Sequence, residues 1–273
     1  MTLVVIGPLA KDLVIIGGEE SHNVGGATYY QSFVFEKFYP DYLAIVNCSD
    51  PSLVKEFPDS DKVKVILKEE THYFINRYPF KDNLNVRNQV SNFAEIPILK
   101  SDLEDILPDE IDGFVLNPLN RYDFPSETIE FLKSFDVPIF ISIQGFLRIR
   151  DVQVNGNYTI KLDSFDDLTG ILSGVNVIFL DESELSIIGY VFDVDEMVVT
   201  NGSRGSRVVC DEEVRIEAVR CDNVVDTTGC GDTYMAAYVS QRLLSKSIEN
   251  AGNFASAIAS DKIKNHGPYS AHE

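Results

Sequence analysis

Residues 226–234 read Asp-Thr-Thr-Gly-Cys-Gly-Asp-Thr-Tyr and place two aspartates on either side of a Gly-Cys-Gly turn. Residues 233–244 carry apolar side chains at helical spacing, which predicts that a strand or a loop passes into a helix here. Gly229 and Gly231 permit positive φ angles and a close approach of the backbone to a ligand. The N–H groups of a helix's first turn bind anions, so this pattern is typical of a phosphate site.

Asp232 stands at the start of the predicted helix, and its spacing leaves two interpretations open. In the first, its carboxylate accepts a proton from an attacking hydroxyl while the neighbouring amides stabilise a transferring phosphoryl group. In the second, Asp232 only caps the helix and the glycines only form a turn.

The composition limits the classes of partner. The chain has 273 residues, 44% of them hydrophobic, and a formal net charge of −20. That charge predicts no nucleic-acid partner and no anionic membrane surface, and any bound anion must be held by local geometry. The four cysteines have neither CxxC spacing nor histidines at ligand distance, which favours reduced thiols. With no signal-peptide pattern and no apolar run of 18 residues, we expect a cytoplasmic protein.

Short apolar runs recur along the chain, and Gly, Asn, Asp or Ser stands at or next to the end of each. Helix-like segments separate several of them, as at residues 126–135 and 164–174. Continuous runs of this kind are typical of strands buried on both faces of a parallel sheet, so we predict an α/β fold. The runs lie at residues 3–7, 42–46, 113–117, 137–143, 175–180 and 196–202.

Residues 62–93 do not follow this order of strands and helices. Apolar and polar residues alternate there, and the alternation is interrupted around residues 80–83. The alternation predicts a β-hairpin with a polar turn. Such an insertion is either an edge extension of the main sheet or a lid over a site, and we favour the lid. Tyr73 and Phe74 then either stack on a ligand or pack the inner face of the lid, and packing is favoured.

The stretch Asp-Thr-Thr-Gly-Cys-Gly-Asp resembles the D-T-x-G-A-G-D signature of the ribokinase-like (PfkB) carbohydrate kinases, with Cys230 in place of alanine. The resemblance implies that Asp232 is the catalytic base and that Gly229, Cys230 and Gly231 supply the amides of an anion hole. It also implies a monovalent cation such as K⁺ at Asp226.

The same resemblance extends towards the N-terminus and implies an acceptor site. Residues 5–15 look like the first strand of the family, and residues 23–32 look like its paired-glycine signature, in which Tyr30 replaces a usual asparagine. Residues 141–148 are similar to a D-x-Q-G-F-x-R stretch, with Ser142 in place of aspartate. The implied acceptor-binding residues are Asp12, Gly25, Gly26, Asn117, Gln144 and Arg148.

Three later stretches resemble the family's donor site. Residues 179–185 occupy the place of its N-x-x-E motif, residues 198–209 resemble its nucleotide-binding turn, and residues 251–268 look like its closing helix and loop. The implied ATP-binding residues are Asp181, Glu184, Thr200, Gly202, Gly205, Asn253 and Gly267. Glu184 is also expected to act on Mg²⁺ through water. Read alone, residues 181–185 are equally well an acidic helix N-terminus.

The resemblance implies one ribokinase-like α/β domain over residues 1–273, a three-layer sandwich with a central mostly parallel sheet. Residues 62–93, with part of 13–24, are expected to form the small β lid. The implied activity is an ATP-dependent and Mg²⁺-requiring transfer of phosphate to a hydroxyl of a small sugar or related polyol. A nucleoside, myo-inositol and a non-catalytic binding role stay open, and an uncovered edge of the lid would favour a homodimer.

Overall fold

The computed structural model describes residues 1–79, 88–164 and 167–270. In that part the strands are β1 (Thr2–Ile6), β2 (Ala10–Ile16), β3 (Glu19–Gly25), β4 (Tyr42–Cys48), β5 (Val63–Leu67), β6 (His72–Tyr78), β7 (Asn88–Ser91), β8 (Ile111–Leu116), β9 (Ile139–Ser142), β10 (Arg148–Val154), β11 (Asn157–Leu162), β12 (Val177–Asp181), β13 (Glu196–Thr200), β14 (Ser206–Val209) and β15 (Glu213–Ile216). The helices are α1 (Ala27–Phe38), α2 (Lys100–Leu103), α3 (Ser126–Lys133), α4 (Gln144–Leu147), α5 (Leu168–Leu172), α6 (Glu182–Ile188), α7 (Cys230–Leu243) and α8 (Ile248–Lys262).

A large sheet forms the centre of the molecule, and over the described residues its order is β15-β14-β13-β12-β9-β8-β1-β4-β5. The seven strands from β13 to β5 pair in parallel, while β14 and β15 pair antiparallel at one edge. Each of the six apolar runs in the sequence supplies one of these parallel strands. The predicted α/β sheet is therefore confirmed.

Helices cover both faces of this sheet, because its central strands are apolar on both faces. Leu3 and Val5 of β1 point into a core that includes residues of α1, α7 and α8. Val4 and Ile6 point into a second core with residues of α3, α5 and α6. All four side chains are fully buried, as expected for a strand between two helical layers. The result is the predicted three-layer sandwich.

A second sheet lies beside the C-terminal ends of the parallel strands and has the order β10-β11-β7-β6-β2-β3 in the described residues. β2 and β6 pair in parallel, and the other neighbours pair antiparallel. β6 and β7 form the expected antiparallel pair, whereas the expected turn at residues 80–83 lies outside the described residues.

The boundaries of this small sheet differ from the sequence expectation. β5, within residues 62–93, pairs with β4 in the large sheet, because its apolar side chains continue the core there. β10 and β11 join the small sheet instead, although they lie some 60 residues further along. β6 and β7 consequently have neighbours on both sides, and the two edges of the sheet are β3 and β10.

Asp123 fixes the turn that follows β8. Its Oδ2 atom accepts N–H groups from Leu119 at 2.6 Å and Asn120 at 2.8 Å, and its Oδ1 atom lies 3.0 Å from His72 Nε2. Asp123 and His72 are both fully buried. Because His72 begins β6, this contact joins the small sheet to the end of a central strand.

No helix in the described part of the chain is both long enough and apolar enough to cross a bilayer.

Candidate active site

The Gly-Cys-Gly turn lies where an irregular loop, residues 217–229, meets the N-terminus of α7. The junction is therefore loop-to-helix. Gly229 is the N-cap residue and has a φ of 71°, a left-handed conformation that favours glycine. A Cβ atom here would also stand within 3.0 Å of the Tyr30 ring. Gly231 does not have positive φ, and the space around its Cα atom is open.

The amides at this junction are not equivalent. The N–H group of Cys230 donates to the Thr227 carbonyl at 3.1 Å, and the N–H group of Thr228 donates to Asp226 Oδ1 at 2.9 Å. The expected role of the Cys230 amide in an anion hole therefore needs correction, because that amide has a partner within the loop. Gly231 and Asp232 occupy the next positions of the first turn, where a helix offers its N–H groups no intrahelical acceptor.

Asp232 lines a cavity of about 210 Å³ between the two sheets. Its carboxyl is half-buried, and burial raises its pKa to about 6, while the positive charges of Arg148 and Lys262 act in the opposite direction. A carboxylate with a pKa near 6 is still mostly ionised at neutral pH and can accept a proton.

Asp12 lines the same cavity and lies beside Gly25, one of the two glycines expected from the sequence. Asp12 lies on β2 directly opposite Asn23 on β3, and its carboxylate approaches Gly25 so closely that a Cβ there would stand within 3.0 Å of it. Gly26 is the N-cap of α1, with a φ of 101°. Asp12, Gly26 and Asp232 thus line one cavity, and Gly25 leaves the space that Asp12 occupies.

Gln144 and Arg148 also line this cavity. Arg148 Nη2 donates to Gln144 Oε1 at 2.7 Å, Nη1 donates to the Leu119 carbonyl at 3.3 Å, and the guanidinium lies 5.4 Å from the Phe74 ring centre. Phe74 is buried and packs with Ala10 and Leu119, as the packing interpretation expects, and it also lines the cavity. The guanidinium thus sits at a fixed place in a poorly solvated wall, where its charge acts on neighbouring anions.

Glu184 is buried beside this arginine. It forms a reciprocal capping box with Asp181 at the start of α6: Asp181 Oδ1 accepts the Glu184 N–H at 2.9 Å, and Glu184 Oε2 accepts the Asp181 N–H at 2.8 Å. Burial and the Asp181 charge raise the pKa of Glu184 to about 7, while the hydrogen bond from the Asp181 backbone, Arg148 and Gln144 lower it. Glu184 therefore caps α6 and also lies close to Arg148 and Gln144 in the wall of the cavity.

The other expected donor residues are distributed over three elements. Thr200 ends β13, and Gly202 and Gly205 form the turn after it, with φ angles of 54° and 87°. A Cβ on Gly205 would collide with the carbonyl of Ile216, so this glycine allows close packing of the turn on β15. Asn253 is exposed on α8.

Asn117 and Gly267, which the sequence predicts to bind ligands, form hydrogen bonds within the protein instead. Asn117 is buried, exchanges two amide hydrogen bonds with Gln31 at 2.8 and 2.9 Å, and donates to Thr28. Its polar atoms are used in joining β8 to α1, which does not fit a direct contact with an acceptor. Gly267 donates its N–H to Asp226 Oδ2 at 3.1 Å and lines a second, larger cavity.

This second cavity has a volume of about 780 Å³ and adjoins the first. The two share Asp12, Tyr30, Tyr78, Thr227 and Thr228 in their linings. Tyr30, the residue that replaces the family's asparagine, is buried and lines both cavities. The larger cavity extends towards Ser21, His22 and Asn23 on β3 and towards His266. The two cavities together therefore form a cleft that is longer than the small cavity alone.

Lys262 is a residue of this site that the sequence motifs did not identify. It ends α8, its side chain is 0% exposed, and its Nζ atom donates to the Asp226 carbonyl at 3.0 Å. A signal was available, because residues 251, 255, 259 and 262 recur at helical spacing and the first three are buried alanines. Lysine is almost never fully buried without a partner.

In the described residues no group of three or more His, Cys, Asp or Glu side chains is arranged to hold a metal ion. Asp181 and Glu184 fit a water-mediated role towards Mg²⁺ better than direct ligation, because their carboxylates already accept backbone N–H groups. Burial raises the pKa of the Cys230 thiol to about 11, so this thiol is neutral at neutral pH.

Comparison with known proteins finds counterparts of the fold and of the C-terminal part of the chain. Residues 153–273 match the pfkB family carbohydrate kinases. The structure is similar to that of a pyrophosphate-dependent kinase in the ribokinase family, complexed with a pyrophosphate analog and myo-inositol. The TM-score is 0.81 at 22% identity, with 98% of this chain and 97% of that one covered. Ribokinase of Arabidopsis thaliana, complexed with ribose and ATP, gives a TM-score of 0.70 at 20% identity, with 98% and 94% covered.

A nucleoside kinase of Methanocaldococcus jannaschii is 28% identical over 130 residues, which are 41% of this chain and 43% of that protein. The match thus spans less than half the length of this curated relative. The chain has the ribokinase fold, and its residues 153–273 carry the pfkB family match, so the resemblance identified from the motifs is confirmed.

We predict that G229A destabilises the protein through two effects. A left-handed φ costs a non-glycine residue about 1–2 kcal/mol, and overpacking against the Tyr30 ring adds about 1–3 kcal/mol. The matched control is G189A, because Gly189 has a φ of 75° but open space around its Cα atom. Urea unfolding should show a larger loss of unfolding free energy for G229A than for G189A. Equal losses would contradict the close contact between Gly229 and Tyr30.

Proposed function

We propose that the protein transfers the terminal phosphoryl group of ATP to a hydroxyl group of a small polyol. The observation that carries this proposal is the position of Asp232. Its carboxylate lies in the first turn of α7 and lines the same cavity as Asp12, Arg148 and the 229–231 backbone. A base, an anion-binding helix terminus and a polar acceptor wall are the parts that phosphoryl transfer requires.

The acceptor would occupy the smaller cavity. Asp12 would accept hydrogen bonds from two neighbouring hydroxyls, and Gln144 and Arg148, which line the same cavity, offer donors. A volume of about 210 Å³ lies below the ~300–1,000 Å³ range of pockets for drug-sized ligands. That size favours a single-ring polyol such as a sugar or a cyclitol. The adjoining cavity would admit a larger group attached to the ring, as in a nucleoside.

In the reaction, the acceptor oxygen forms a bond to the terminal phosphorus, and the bond from that phosphorus to the bridging oxygen breaks. The electron pair leaves with ADP, and the acceptor's proton passes to Asp232. The N–H groups of Gly231 and Asp232, with Arg148, stabilise the negative charge on the phosphoryl oxygens. Glu184 and Asp181 would hold Mg²⁺ through its waters, and the ion would supply positive charge to the phosphates of the donor.

The small sheet acts as the lid in this proposal. Asp12 belongs to β2, Phe74 to β6 and Arg148 to β10, so three strands of this sheet supply groups to the cavity. Movement of the sheet towards α7 would exclude water from the phosphoryl group and suppress hydrolysis of the donor.

A panel of acceptors and donors tests this function. Sugars, cyclitols including myo-inositol, and nucleosides should each be incubated with ATP or with pyrophosphate, and the phosphorylated product quantified. We expect one acceptor class to be phosphorylated with ATP. Turnover with pyrophosphate alone would change the donor but keep the mechanism, whereas binding of acceptors without any turnover would show a non-catalytic binding protein.

D232N should lower kcat by about 10²–10⁴-fold, because the variant keeps the size of the side chain but cannot accept the proton. The dissociation constant of ATP, measured by calorimetry, should change little. D211N is a suitable control, since Asp211 is exposed and distant from the cavity in sequence and in fold. A D232N variant with wild-type kcat would exclude Asp232 as the base.

The pH dependence of kcat/KM should report the raised pKa of Asp232. Only the ionised carboxylate accepts a proton, so the rate should be constant well above pH 6 and fall about tenfold per pH unit well below it. At pH 5 the rate should be about a tenth of the plateau value. A plateau that extends down to pH 4.5 would mean that a different group limits the reaction.

A further inference from the structure

The side chain of Lys262 contacts Asp226 twice. The ammonium donates to the main-chain carbonyl of Asp226 at 3.0 Å and lies 3.5 Å from its Oδ2 atom. The side chain has no solvent exposure, so water does not hydrate this charge. A buried ammonium is costly unless it is paired, and Asp226 is the partner that offsets this cost.

The carboxylate of Asp226 has further partners. Its Oδ1 atom accepts the Thr228 N–H at 2.9 Å, and its Oδ2 atom accepts the Gly267 N–H at 3.1 Å. The 225–226 backbone also donates to the Ile263 carbonyl, at 2.8 and 3.2 Å. The loop before α7 is therefore joined at several points to the end of α8 and the segment after it.

These contacts do not fit a separate monovalent cation at Asp226. A K⁺ ion there would need the same carbonyl and carboxylate oxygens that the ammonium already uses. Two unit charges at 4 Å repel by about 4 kcal/mol at an effective dielectric constant of 20. The expected K⁺ site at Asp226 is thus already neutralised by the protein's own cation.

We propose that the Lys262 ammonium is the resident cation of this junction and that the protein requires no K⁺. Lys262 is a positioning residue: it holds Asp226, and through the loop 226–229 it fixes the first turn of α7. Its charge also acts on Asp232, at the N-terminal end of α7. An acidic chain thereby keeps a positive charge beside the site where phosphate is expected.

The first part of the test measures thermal stability and needs no turnover. Its outcome therefore does not depend on the proposed kinase activity. Thermal unfolding should be followed in KCl and in choline chloride at equal ionic strength. We expect the Tm of the wild type to differ by less than about 1 °C between the two salts, because a ligand that does not bind cannot stabilise the folded state. K262A should have a lower Tm, and K⁺ should raise that Tm selectively because the vacated space faces Asp226.

K264M is the matched control. Lys264 lies two residues further on, is exposed, and pairs with Asp261 at 3.0 Å. The K264M variant should have the same Tm as the wild type, in KCl and in choline chloride alike.

The kinetic part rests on the proposed function and uses whichever acceptor the panel identifies. Wild-type kcat should be the same in K⁺ and in choline, K262M should lose at least about tenfold in kcat, and K262A should regain activity in K⁺ but not in choline. A purely structural lysine would not produce this acquired dependence on K⁺. The proposal is overturned if K⁺ selectively raises the Tm or kcat of the wild type, or if K262M behaves as K264M does. The wild-type comparison decides the question even where a variant does not fold.

Discussion

The carboxylate of Asp226 joins three separate parts of the chain, and the geometry of the candidate site depends on this connection. It accepts N–H groups from Thr228 in its own loop and from Gly267 after α8, and it faces the ammonium of Lys262. These contacts fix the loop that leads into α7. Because Gly229 then turns in a left-handed conformation against the Tyr30 ring, the first turn of α7 opens towards the small cavity.

This local arrangement explains how a chain with a net charge of −20 can present an anion site. Long-range attraction of phosphate is absent, so binding must come from groups fixed at short distance. Backbone amides at the start of α7 supply partial positive charge without any side chain. Arg148 and Lys262 add two full charges, both buried, where the low dielectric strengthens their effect on Asp232. Removal of water from the site would strengthen all these interactions together.

The sequence predicted the large sheet well, because strands buried on both faces leave continuous apolar runs. It did not predict that β5 joins the large sheet or that β10 and β11 join the small one, since strand pairing depends on neighbours distant in sequence. The seven-residue signature at 226–232 identified the site. It could not reveal that the Cys230 amide bonds within the loop, that Asn117 pairs with Gln31, or that Lys262 faces Asp226. Each of those facts depends on three-dimensional contacts.

The central claim is that the start of α7 binds the phosphate groups of the donor through backbone amides beside Asp232. Titration of ¹⁵N-labelled protein with magnesium pyrophosphate tests this directly, because pyrophosphate carries the same terminal group as ATP. The amide resonances of Gly231 and Asp232 should shift in proportion to binding, and those of exposed residues outside the site, such as Asp211, should not. Saturable binding that leaves the Gly231 and Asp232 amides unchanged would contradict the account.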